Sequence, residues 1–246
     1  MTNDLLTAIA IFVGLLITLE LGFRAGARTR ETKGVGQIGA IQGAMLGLLG
    51  LLLGFSFAGA ASRFIERQDL IVQEANAIGT AYLRAQLLPE PHGAALRNEI
   101  KEYTTRRAEM SEDLALGVTP ALLEEVAGQH DRIWRAARDG VNARPDMALA
   151  VLNPVNEVID FHGTRLGASR KHLPLLVVVL LLSSSVLAVG VTGYGGGVAH
   201  ERRAPLTVAL VLVVAALLWV TIDLDHPRSG LLRLNDAPLK ELKFEK

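Results

Sequence analysis

Six histidines, no cysteine and a scatter of carboxylates are what this 246-residue chain offers for chemistry. His92, His130, His162, His172, His200 and His226 include no pair three or four residues apart, the spacing that puts two metal ligands on one helix face. No HExxH, phosphate-binding glycine loop, GxSxG elbow or EF-hand loop occurs. Asp223, Asp225 and His226 could draw a cation, but they close an apolar run, where interfacial polar residues are ordinary. Asn153, Asn156, Glu157 and Asp160 fall on neighbouring turns of one helix and are expected to hydrogen-bond to other helices. Without cysteine there is no disulfide, thiol nucleophile or thiolate metal site. The reading is therefore not an enzyme, with no cofactor and no metal.

Half of the residues are hydrophobic, and 25 basic residues balance 25 acidic ones, which suits membrane lipid and gives no field for nucleic acid. Four apolar runs are long enough to cross the ~30 Å hydrocarbon layer: Leu5–Phe23, Gly36–Ala61, Leu173–Tyr194 and Pro205–Leu224. The first lacks a preceding basic residue and is read as a retained span, not a cleaved signal. The fold expected is an all-α integral membrane protein with four transmembrane helices per subunit. Residues 1–61 hold the first two spans, 62–172 a helical extramembrane domain, 173–224 the last two spans, and 225–246 an amphipathic tail suited to a membrane surface.

The second run organises the rest. At ~100° per residue, Gly36, Gly39, Gly43, Gly47, Gly50, Gly54, Ala58 and Ala61 fall on one stripe of nearly bare backbone. Gly costs ~1 kcal/mol per helical residue relative to Ala, so the stripe asks for a reason. Gly39, Gly43, Gly50 and Gly54 belong to small-xxx-small patterns that permit close helix packing. The partner is either another helix of the same subunit or copies of this helix around a pore axis.

From Ser62 to Leu88 no proline interrupts, so the span is expected to continue into the extramembrane domain as one helix. Its seam there is Phe64, Gln68, Ile71, Ala75, Ile78, Tyr82 and Ala85, with Arg63, Glu66, Arg67, Asp69, Glu74, Asn76 and Arg84 on solvated or paired faces. Further helices are expected over Ala95–Leu116, from the Thr119 cap and Pro120 to Arg138, and over Pro145–Leu166 with a kink at Pro154. Their inward residues are Leu96, Ile100, Tyr103 and Met110; Leu122, Leu123, Val126, His130, Ile133, Trp134 and Ala137; and Leu152, Val155, Ile159 and Leu166.

Glu20 stands four residues before Arg24, the order that favours a helical ion pair. Arg24, Arg28, Arg30 and Lys33, with Arg202 and Arg203, make two basic loops that the positive-inside rule assigns to the cytoplasm. That places the extramembrane domain on the other side, against the pull of Arg63, Arg67, Arg165, Arg170, Lys171, Arg228 and Arg233.

LLLGFSFAGAASRFIERQ, QEANAIGTAYLRAQLLPEP and TIDLDHPRSGLLRLNDAPL resemble the bacterial bestrophin-like membrane proteins, a domain family of unknown function, along nearly the whole chain. Glu74, Asn76, Tyr82, Arg84, Asp223 and Asp225 are the motif residues that carry the resemblance. More remotely it reaches the bestrophins, which are pentameric helical ion channels whose second helix lines a hydrophobic neck. That resemblance implies a bacterial inner-membrane homo-oligomer, a pentamer, passing inorganic ions. It puts Gly47, Leu51 and Phe55 at the neck, with Arg63 beyond it favouring anions. Gly47 departs from the bulky residue expected there, and IDLDHP has only two acids where bestrophins have a calcium clasp. A bestrophin-like domain would also lie in the cytosol, opposite to the loop charges. The alternative is a non-conducting scaffold or sensor whose helical domain binds a partner.

Overall fold

Every regular element is helical among the residues described by the computed structural model, which are 2–29, 35–113, 119–202, 204–227 and 230–244. The helices are α1 (Thr2–Ala27), α2 (Val35–Ala85), α3 (His92–Asp113), α4 (Pro120–Ala143), α5 (Ala148–Ser169), α6 (Leu175–Val198), α7 (Ala204–Asp225) and a short α8 (Ala237–Lys240), with one 3-10 turn at Pro145–Met147. Helices α1, α2, α6 and α7 are long and apolar enough to cross a membrane. The expected end of α3 at Leu116 and Gly117, and the loop residues Arg30, Glu31, Lys33, Arg203 and Arg228, lie outside the described residues. Two compact units result, Met1–Phe64 with His172–Leu232, and Ile65–Lys171 with Arg233–Lys246, and α2 contributes to both.

In the first unit α1 runs against α6 and also touches α7. Leu15, Leu49, Leu53, Leu181, Val189, Val211 and Leu218 form its core. The closest helix contact is made by glycines of α1 and α6. A Cβ placed on Gly22 would lie 2.2 Å from the Gly190 carbonyl oxygen, and one on Gly26 2.1 Å from that of Tyr194. Placed on Gly193 or Gly197, it would lie 2.1 Å from the carbonyl oxygens of Leu19 and Phe23 respectively. Backbone meets backbone there, and only hydrogen fits. The hydroxyls of Ser185, Thr192 and Thr221 donate to carbonyls one turn earlier, Leu181, Ala188 and Leu217, so they add no bond between helices.

In the second unit Ile71, Ile78, Leu96, Ile100, Tyr103, Ile133 and Val155 are almost wholly buried. Burying each such side chain contributes ~1.5–3 kcal/mol. Thr119 caps α4 by accepting the Leu122 amide at 3.2 Å, with Pro120 in the first turn, as its sequence suggests. On α5 the innermost residues are Val151, Val155 and Val158, with Leu152 and Ile159 at the margin, so the buried stripe centres one residue earlier than its pattern implied.

The tail departs in part from its expectation: Leu239 is fully buried, and Leu234, Leu242 and Phe244 pack on the core of the second unit, whereas Leu231 and Leu232 are exposed. The Phe244 ring lies 4.7 Å from that of Tyr82. The Gln68 amide fixes the register by donating to the Asn235 carbonyl at 2.9 Å and accepting its N–H at 2.8 Å. An amphipathic segment buries its apolar side on the nearest apolar surface, here the seam of α2.

Candidate functional site

The apolar first-unit half of α2 turns two unlike sides outward and inward. Leu49, Leu53, Ser56 and Ala60 are buried. Gly47, Leu51 and Phe55 are exposed, Phe55 to 72%. A Cβ built on Gly36, Gly39, Gly43, Gly47, Gly50 or Gly54 meets nothing within 4 Å. Among the described residues, then, the stripe has no partner helix in its own chain, and of its two possible uses the intramolecular one is not realised. The intramolecular role belongs to Gly22, Gly26, Gly193 and Gly197, whose GxxxG spacing was the signal that could have found them.

Arg63 points to the far end of α7. Its Nη2 and Nε donate to Asp225 Oδ1 at 3.0 and 3.3 Å, and the Leu173 amide donates to both carboxylate oxygens, at 2.9 and 3.1 Å. His172 Nδ1 lies 2.9 Å from the Asp225 carbonyl, and its ring stacks on that of His226 at 4.8 Å. Asp223 accepts the amides of Leu231 and Leu232 at 2.9 and 2.8 Å, and Gly230 sits so close that a Cβ would fall 2.4 Å from its Oδ1. The two acids of IDLDHP thus bind backbone amides and an arginine within the first unit. His172, Asp225 and His226 offer ligand atoms within 4.8 Å of one another. The near-parallel rings do not aim their in-plane lone pairs at one point, so a metal ion would require one ring to turn.

Of the other motif residues, Glu74 is the best buried. Its carboxylate accepts from Arg107 Nε at 2.8 Å, from the Tyr103 hydroxyl at 3.3 Å and from Arg165 Nη1. Arg107 and Arg165 are themselves buried, and Arg165 also lies 3.8 Å from Asp236. Burial pulls the Arg107 guanidinium down, but Glu74 more than offsets it, so Arg107 holds its proton more firmly than usual. Burial, then the charge of Glu74, pushes the Tyr103 phenol up. Glu74 and Arg67 were expected on a solvated or paired face; Glu74 is paired as well as buried, and Arg67 is buried, donating to the carbonyls of Ala168 and Lys171. Tyr82 is buried, whereas Asn76 and Arg84 are exposed.

The polar run on α5 corrects another expectation. Asn153, Asn156, Glu157 and Asp160 are exposed and line a shallow depression of about 320 Å³ with Phe161 and Thr164, instead of bonding to another helix. Glu20 accepts from Arg24 Nε at 2.8 Å as its spacing suggests, and also from Arg202 Nη2 at 2.8 Å, so one residue from each of the two basic clusters meets on one carboxylate.

No curated protein and no solved structure matches this chain. The Bestrophin-like domain model matches residues 7–239. That match takes in both units, the α2 stripe and the Asp223–Asp225 segment, and by it the chain belongs to the bestrophin-like family.

Proposed function

We propose that the protein is a homo-oligomeric ion channel of the bacterial inner membrane, most simply a pentamer, with α2 of each subunit lining a central pore. The observation that carries this reading is the outward side of α2, where a glycine stripe without a partner adjoins Leu51 and Phe55, both large and exposed. Copies meeting along Gly39, Gly43, Gly50 and Gly54 would bring rings of Leu51 and Phe55 to the axis, with the smaller Gly47 ring between wider walls. Such apolar rings gate by dewetting, because water leaves a narrow apolar neck before ions can cross it. Arg63 follows on the same helix. Its charge is compensated by Asp225, so it serves as an oriented donor and the anion preference it confers is mild. The loop charges at Arg24, Arg28 and Arg202 favour an extracytoplasmic position for residues 65–171.

Planar-bilayer recording tests the reading. The wild type passes current, Leu51→Ser raises open probability by removing an apolar ring, and the reversal potential in a KCl gradient shifts toward chloride. Silence from folded, oligomeric protein, or a dimer with no axial cavity, overturns it. The second reading, a non-conducting scaffold, is favoured by the exposed polar depression on α5, which suits a partner's polar side chains. It predicts that Leu51→Ser only loosens assembly.

A further inference from the structure

We propose that His130 and His162 are an acid-sensitive latch of the extramembrane helices, closing the packing of α3, α4 and α5 around Tyr103 when neutral and opening it when they take up a proton. The two rings belong to different helices and meet edge to face at 5.3 Å, and the His130 ring lies 5.5 Å from that of Tyr103 on α3. Both side chains are half-buried, yet His130 Nε2 and His162 Nδ1 are sealed from solvent and have no hydrogen-bond partner among the described residues. The neighbouring Gln129 Oε1 is in the same condition. A neutral imidazole tolerates one bare nitrogen as an unused acceptor. A protonated one must place an N–H and a positive charge there, with nothing to receive either.

The surrounding charges offer little relief. Glu74 faces the pair from α2, Arg107 from α3 with the un-ionised Tyr103, Asp131 from α4 and Arg165 from α5, while Asp236 of the tail lies by Arg165. Glu74 is already held by Arg107 and Arg165. At the buried cluster Glu74 and Asp236 balance Arg107 and Arg165, and a third cation there meets only the exposed Asp131 beside His130. Burial first, and then Arg107, hold both imidazoles below their usual range, His162 at about 4. Because the closed state binds protons less readily than the open one, the latch is fully closed above about pH 6.5 and loses stability as pH falls from there toward 4. The half-exposure of both rings gives protons a path in.

Hydrogen exchange of the full-length protein in lipid nanodiscs, corrected for the intrinsic pH dependence of exchange, reads the latch directly. Between pH 6 and 4.5 the opening of amides around Ile133 and Val158 should rise by about tenfold per pH unit for each proton taken up. The double variant His130→Gln, His162→Asn, which keeps a polar atom near each sealed nitrogen, should be flat over that range. An acid opening of equal size in the double variant would assign the effect to carboxylates such as Glu74 and Asp236 and overturn the proposal, as would the absence of opening in the wild type. If the double variant does not fold, imidazole NMR titration of the wild type decides: depressed titration of both rings supports the latch, and titration at the ordinary histidine value overturns it.

Discussion

Gly22, Gly26, Gly193 and Gly197 bring two backbones into contact on α1 and α6, whereas Gly39, Gly43, Gly47, Gly50 and Gly54 on α2 face open space within the subunit. The two faces share composition and four-residue spacing, yet one is consumed by the fold and the other is left over from it. Glycine periodicity therefore marks a surface that permits close approach, and the coordinates show whether that approach occurs within the chain.

The sharpest way to break the contrast is to add one carbon to each face. Gly193→Ala pushes a methyl against the Leu19 carbonyl, which belongs to a helix backbone and cannot step aside, so thermal unfolding in detergent should show a loss of about 3 kcal/mol. Gly43→Ile adds a far larger group to α2 and should leave subunit unfolding unchanged while lowering the oligomer fraction in native mass spectrometry. If it unfolds the subunit instead, the α2 stripe is an internal contact and the contrast fails. The smallest effect is expected where the closed seam ends. His200, just beyond α6, has φ of 54°, in the left-handed region, so His200→Gly should stabilise the first unit by at most about 1 kcal/mol, less what the freer unfolded chain takes back.

Much of this was legible because it is local. The four apolar runs, the passage of α2 through Ala85, the Thr119 cap and the seams at Ile71, Ile78, Leu96 and Ile100 all follow from periodicity or from capping chemistry within a few residues. What escaped was set by distant partners. Glu74 sits on α2 among polar residues and nothing nearby marks it as buried; its partners Arg107 and Arg165 lie 33 and 91 positions away. Arg63 met a similar fate through Asp225, 162 positions on. At the candidate pore face the identities of Gly47, Leu51 and Phe55 were readable, and their exposure follows from which side of α2 the leucines Leu49 and Leu53 bury. The tail misled because amphipathicity states that an apolar side needs cover and does not say which surface supplies it.

The Asp225 bracket also orders biosynthesis. Arg63 and the Leu173 amide emerge from the ribosome well before the carboxylate that receives them, which ends the last long helix. Until that helix is made, a guanidinium and a backbone N–H at the margin of the first unit have no internal acceptor there and must stay hydrated. Chains truncated before Asp225 should therefore fold less completely and be degraded, since the carboxylate that fastens α2 and the start of α6 into the first unit is supplied only at the end of α7.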